Sequence, residues 1–325
     1  MRPLRMRVAP HTHDPGRWGH SFVNLAELLV PCLDAVGARS VAEIGAYAGD
    51  LTELLLEWAA RRDASVIAID PTPQPALEAL AAQRPDLELV RQRSLEALGE
   101  IDIPDAVIID GDHNYYTVSH ELRAIGERAP GAALPLLLLH DVGWPHGRRD
   151  AYYTPELIPE DERQPIVEGG GLFPGDPGTR LGALPYKWPA AREGGPRNGV
   201  LTAVEDFVDR RENLRLVVVP AFYGFGAVWH SSAPWSDALA ALLAPWDRNP
   251  ILERLEANRV GHLAAKHVLM MEAAIAAERR ARKDDILRRL LISKSFALSQ
   301  RISKLARRGT PAFTEDELRR ALRDD

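Results

Sequence analysis

Glu43, Gly45 and Gly49 close an apolar run, Val41-Ala42-Glu43-Ile44-Gly45-Ala46-Tyr47-Ala48-Gly49-Asp50, and their types and spacing suit ligand binding. The run reads as a buried strand and a tight turn, followed by a helix carrying Leu51, Leu54, Leu55 and Trp58 on one side. At such a junction an open α/β sheet binds nucleotide-like ligands. The glycines let backbone approach the ligand, and Glu43 places a carboxylate where a phosphate would be repelled. The third glycine of a dinucleotide fingerprint and the lysine of a phosphate loop are both missing. A ligand with a cationic centre and no phosphate fits, and S-adenosylmethionine is such a molecule. The competing reading of the two glycines is close helix–strand packing.

Three more apolar runs end in acids. Ser65-Val66-Ile67-Ala68-Ile69-Asp70 places Asp70 about 20 residues beyond the glycine turn, where an acid can accept hydrogen bonds from a ribose diol. Asp105 to Asp110 and Pro135 to Asp141 repeat the pattern, the latter ending in His140-Asp141. With helical segments between them, these runs predict a parallel sheet whose carboxyl edge is lined with carboxylates.

Ile109-Asp110-Gly111-Asp112-His113-Asn114-Tyr115 resembles the "IDGDHSY" element of a group of small-molecule O-methyltransferases. Together with the glycine turn, it makes residues 20–230 resemble a class I S-adenosylmethionine-dependent methyltransferase. The group in question is related to the metal-dependent O-methyltransferases that act on antibiotic sugars. The resemblance implies a doubly wound, mostly parallel seven-stranded α/β sheet, and it implies roles for the edge residues. Glu43 and Gly45 would face the methionine part of the cofactor, with Gly49 allowing close approach. Asp70 would hold the ribose hydroxyls, Ser94 would lie near the adenine, and Asp110 would border the cofactor. Tyr47 would cover the cofactor or merely pack. Asp110, His140 and Asp141 would ligate a divalent metal, and Asp112 would be the general base. The first of the adjacent pair is usually acidic in that group, and here it is His140. Imidazole suits zinc, iron, nickel or manganese better than magnesium. In a metal-free alternative, His113 or His140 is the base, since imidazole titrates near neutrality.

The elements that position these residues alternate. Strands are expected at 40–46, 65–70, 87–91, 105–110 and 135–141, and helices at 20–36, 50–62, 74–83, 94–99 and 115–128. Residues 143–199, rich in Gly and Pro with no sustained period, are expected to form a lid over the substrate, because loops at this edge carry chemistry. A helix at 200–211 and strands at 214–220 and 227–230 complete a domain spanning 1–232. Residues 233–325 form a helical C-terminal extension, with one long helical region from Leu252 to Arg308. There Leu287, Leu291, Leu298 and Leu305 fall near heptad spacing, so the extension either folds back as a hairpin or pairs with a second copy of the chain.

The 325 residues are enough for one large domain and an appendage, and the net charge of −6 argues against a partner held through nucleic-acid phosphates. The single cysteine, Cys32, lies in an apolar helical pattern and permits no internal disulfide. His11, His13 and His20 match no metal-site spacing. No secretory or membrane-length apolar run is present, so a cytoplasmic protein with no membrane partner is expected. The expected activity is methyl transfer to a hydroxyl of a small polar metabolite, such as a sugar or natural-product intermediate, assisted by a metal such as magnesium or manganese. The alternatives are transfer to nitrogen, and a scaffold subunit that kept the fold without catalysis.

Overall fold

Strand alternation sorts the apolar residues onto two faces of one sheet. The computed structural model describes residues 21–180, 182–306 and 314–321; His11, His13 and His20 lie outside them. A single helical turn at Phe22–Leu25, capped by the Ser21 hydroxyl, leads into α1 (Ala26–Val36) and β1 (Ser40–Ile44). Then α2 (Asp50–Ala59), β2 (Ser65–Ile69), α3 (Pro75–Gln83), β3 (Leu87–Val90), α4 (Ser94–Glu100), β4 (Ala106–Ile109), α5 (Tyr115–Arg128) and β5 (Leu136–His140) alternate as the pattern predicts. The strands end before their expected limits. Asp70, Asp110 and Asp141 each lie one residue beyond a strand, outside the ladder.

After the insertion, which contains the short pair β6 (Gly171–Leu172) and β7 (Leu184–Pro185), come α6 (Val200–Asp209), β8 (Leu214–Val219) and β9 (Phe225–His230). The sheet order is β3-β2-β1-β4-β5-β9-β8. The pairs among β1 to β5 are parallel, and β9 is antiparallel to both neighbours. β9 starts two residues earlier than expected, because Gly226 pairs with Leu139 and Val218 and is no part of the turn. The turn lies at Ala221–Gly224, closed by the Gly224 N–H on the Ala221 carbonyl.

One face of the sheet buries Val41, Ile108 and Leu138 with α1, α2 and Trp229; the other buries Ala42, Val107 and Leu137 with α4, α5 and α6. Cys32 is buried in the first layer. The first compact unit continues past the expected boundary at 232/233 to Ala265. The cause is packing: α7 (Ser236–Leu243) adds Leu239 and Leu243 to the core, and Ser236 accepts the Trp229 indole N–H at 2.9 Å.

The insertion is anchored from inside. Arg149, 1% exposed, donates to the carbonyls of Ala190, Pro177 and Gly178. Asp150 accepts from the Tyr115 and Gly199 backbone N–H groups and from the Tyr152 hydroxyl. Asn198 accepts from the Asp150 N–H and donates to the carbonyls of Arg192 and Gly194. No hydrophobic period reveals such a segment, since polar side chains satisfy its backbone one group at a time.

Burial pushes the Asp150 carboxyl up to about 6, against the lowering by its three donors. The native state therefore holds this proton more tightly than the unfolded chain, where aspartate titrates near about 3.9. The contribution is fully present below that value and is lost as pH rises through about 6, to the extent of roughly 3 kcal/mol. Asp150→Asn keeps the acceptor oxygen that faces Tyr115 and Gly199. It should remove this part of the pH dependence when denaturant unfolding is compared at about pH 4 and about pH 8. Identical pH dependence in the two proteins would clear Asp150 of the effect.

The second unit, Lys266–Asp325, is helical: the distal part of α8 (Pro250–Ile292), then α9 (Lys294–Ala306) and α10 (Glu315–Ala321). Within the expected helical region, α8 and α9 are separated at Ser293, whose hydroxyl caps α9 by accepting the Phe296 N–H at 3.1 Å. Leu287 and Leu291 thus belong to one helix and Leu298 to the next. Thr314 and Glu317 form a reciprocal cap at the start of α10.

Candidate active site

The carboxyl ends of β1, β2, β4 and β5 converge on one cleft edge. Gly45 has φ +89°, and a side chain there would collide with the Asp110 carbonyl. Its first requirement is the close approach of two backbones, those at the ends of β1 and β4. Gly49, at φ +87°, opens α2 against Leu77. The packing reading of the glycines is therefore visible beside the ligand reading.

Glu43 is 2% exposed and accepts the Thr52 hydroxyl at 2.6 Å. Burial pushes its carboxyl up to about 8; Thr52 opposes the shift, and Asp110 and Asp70 add to it. Asp70 holds the turn: its Oδ2 accepts the Tyr47 N–H at 2.7 Å and its Oδ1 the Thr72 N–H at 2.8 Å. Tyr47, at φ +42°, stands 63% exposed on that turn. Ser94 is the first residue of α4, just after β3.

Asp110, His140 and Asp141 come together, with one ligand atom from each lying within 4.8 Å of the others. His140 Nδ1 is 3.0 Å from Asp110 Oδ1 and 3.4 Å from Asp141 Oδ2. Its Nε2 is 2.8 Å from the Phe222 carbonyl, and its ring stacks on Phe22. Burial alone would lower the His140 pKa, but Asp110 and Asp141 outweigh it and hold it up at about 9. The same contacts, with His113, overcome burial and keep Asp141 well below the usual carboxylate range. Nδ1 of His140 therefore faces the two carboxylates.

His113 places Nε2 at 2.9 Å from Asp141 Oδ2, and its Nδ1 has no hydrogen bond among the described residues. Burial works against its proton, while Asp141 raises its pKa above the ordinary value. The ring stacks on His146, and the Tyr153 ring is tilted against it with centroids 5.5 Å apart. Asp112 accepts the Thr117 hydroxyl at 2.9 Å. His146, which carried no recognisable motif, is buried with Nδ1 unpartnered, and burial together with His113 lowers its pKa to about 3. Phe22 and Phe222 were also missed, because contacts across some 80 to 120 residues leave no spacing signal.

The donor set of two carboxylate oxygens and one imidazole nitrogen fits a divalent ion such as manganese or zinc. The Phe222 carbonyl on Nε2 would fix the tautomer in which Nδ1 is the ligand atom. Among the described residues this is the one such cluster, and no helix is long and apolar enough to cross a membrane.

Residues 42–142 match the family model described as "Methyltransferase domain". No curated protein sequence matches the chain. Similar solved structures include a methyltransferase of Podospora anserina bound to S-adenosylhomocysteine, 13% identical over 67% of this chain and 86% of that one, with a TM-score of 0.40. A caffeoyl-CoA O-methyltransferase assigned in Staphylococcus aureus is 12% identical over 64% and 83%, with a TM-score of 0.40. An O-methyltransferase of neocarzinostatin biosynthesis, in complex with S-adenosylmethionine and a hydroxylated naphthoic acid, is 14% identical over 68% and 59%, with a TM-score of 0.35. Likeness at this level carries nothing about the acceptor.

Proposed function

We propose that this chain is a class I S-adenosylmethionine-dependent methyltransferase and that it methylates a hydroxyl of a small polar metabolite with the help of a divalent metal. The observation that carries this reading is the convergence of Asp110, His140 and Asp141 beside His113. Methyl transfer to oxygen needs donor and acceptor held in line and the hydroxyl proton removed. When bound, a metal ion would lower the hydroxyl pKa and orient the acceptor. Asp110, His140 and Asp141 would hold that ion. Asp141 also receives the Nε2 proton of His113, which leaves the Nδ1 lone pair free to take the proton from the acceptor. His113 is thus better arranged as base than Asp112, one of whose oxygens is engaged by Thr117. Glu43, Gly45 and Gly49 would line the methionine end of the cofactor, and Asp70 would meet the ribose. The anchored insertion, bearing Tyr153 and His146, would wall the acceptor side.

The test is release of S-adenosylhomocysteine on incubation with panels of hydroxylated and of amine acceptors. Turnover confined to amines would replace oxygen by nitrogen as the target. For the cofactor, Asp70→Ala should weaken S-adenosylmethionine binding by about 1.5–3 kcal/mol, the range for a hydrogen bond to a charged group. Because Asp70 also supports the Tyr47 turn, Asp70→Asn serves as the comparison that keeps shape. Unchanged affinity in both variants would take Asp70 out of the site.

A further inference from the structure

The charge of the chain is unevenly placed. Residues 279–306 carry nine arginines and lysines against two acids, a net +7 in a chain whose total is −6. They form the last turns of α8 and the whole of α9, within the second unit. The same stretch leaves large aliphatic side chains in solvent: Ile286, Leu290, Ile292, Leu298 and Ile302 are 38% to 83% exposed. Ile286 and Leu290 lie one turn apart on α8, and Leu298 and Ile302 one turn apart on α9, so each pair forms a short apolar stripe. Exposed cations stand three or four positions away: Arg282, Lys283 and Arg289 around Ile286, and Lys294 and Arg301 around Leu298. A single exposed apolar residue is ordinary, but five between positions 286 and 302, set among cations, form a patch.

Whatever covers this patch must be apolar and anionic together. A second copy of the chain brings the same positive charge, so pairing of two such stretches is opposed. Nucleic acid would meet the cations and leave the aliphatic side chains in water. The boundary between lipid headgroups and acyl chains offers both layers. Aliphatic side chains enter the apolar one, while long Lys and Arg stems keep their charges among the phosphates. We propose that residues 279–306 dock the protein on an anionic lipid surface, with the two helices lying in the plane of the interface. Docking of this kind needs no spanning helix, and none is present among the described residues. It replaces the expectation of no membrane partner, which rested on the lack of a membrane-length apolar run.

The test is flotation of the full chain with two kinds of vesicle, phosphatidylcholine alone and equal parts of phosphatidylcholine and phosphatidylglycerol. Affinity for the anionic vesicles should exceed that for the zwitterionic ones by at least about tenfold, and it should fall as salt is raised. Leu298→Ser combined with Ile302→Ser leaves every charge in place and should weaken binding to the anionic vesicles by about tenfold or more. Lys294→Gln combined with Arg301→Gln keeps the apolar stripe and should weaken it as well. All four positions are exposed, so the fold is not at stake. No binding to the anionic vesicles would overturn the docking. So would binding that ignores the loss of Leu298 and Ile302, the mark of attraction by charge alone. A concentration-dependent dimer in sedimentation, lost in the double serine variant and unaccompanied by vesicle binding, would assign the patch to a second copy of the chain instead.

Discussion

Exhaustive removal of divalent ions is expected to lower turnover by about 10³-fold or more, since a metal that polarises the acceptor oxygen contributes several kcal/mol to the transition state. The expectation comes from the ligand atoms themselves. Asp110, His140 and Asp141 gather within 4.8 Å, and His140 is turned so that Nδ1 faces the two carboxylates while Nε2 faces the Phe222 carbonyl. A histidine that merely capped the strand would have no reason to sit between two acids. Manganese or zinc should restore activity better than magnesium, whose preferred ligands are oxygens. His140→Asp should shift the preference toward magnesium, because it recreates an all-oxygen set. Full activity after chelation, checked by metal analysis of the same sample, would leave the three residues as a charge network around an acid–base site.

Replacing His113 should have the next largest effect. In His113→Asn the base is lost while Asp141 keeps a donor, so kcat should fall by roughly 10²- to 10⁴-fold with cofactor affinity nearly unchanged. Asp112→Asn should cost less, as one of its carboxylate oxygens is tied to Thr117. The two variants form a direct contest. Should Asp112→Asn abolish turnover and His113→Asn leave it near normal, the base is Asp112.

Much of this was legible in the sequence because it is encoded locally. Continuous apolar runs, each followed by an acid, marked the parallel strands and put Asp70, Asp110 and Asp141 at their carboxyl ends. The Glu43–Gly49 segment announced the turn between β1 and α2. Strand limits were overestimated because the acids look like strand ends in sequence and are the first residues outside the ladder in space. The character of 143–199 could not be read, since its order comes from single buried groups, Arg149, Asp150 and Asn198, each satisfying distant carbonyls and N–H groups. The break at Ser293 escaped notice because a serine inside a helical pattern differs from a cap only by its backbone angles.

Only the tertiary structure decided what the edge residues do to one another. Sequence places His140 beside Asp141 but cannot say which way the ring turns. That is set by Phe22 stacking on it and by a carbonyl 82 residues further along the chain. Likewise Asp112 and His113 are adjacent in the chain, yet one faces Thr117 and the other Asp141. Gly45 was legible as a residue without a side chain, whereas the backbone it must clear belongs to Asp110. Local pattern specifies which residues arrive at the sheet edge, because period and polarity are properties of neighbours in sequence. Which oxygen meets which nitrogen depends on long-range packing, and that is settled only when the two faces of the sheet have closed.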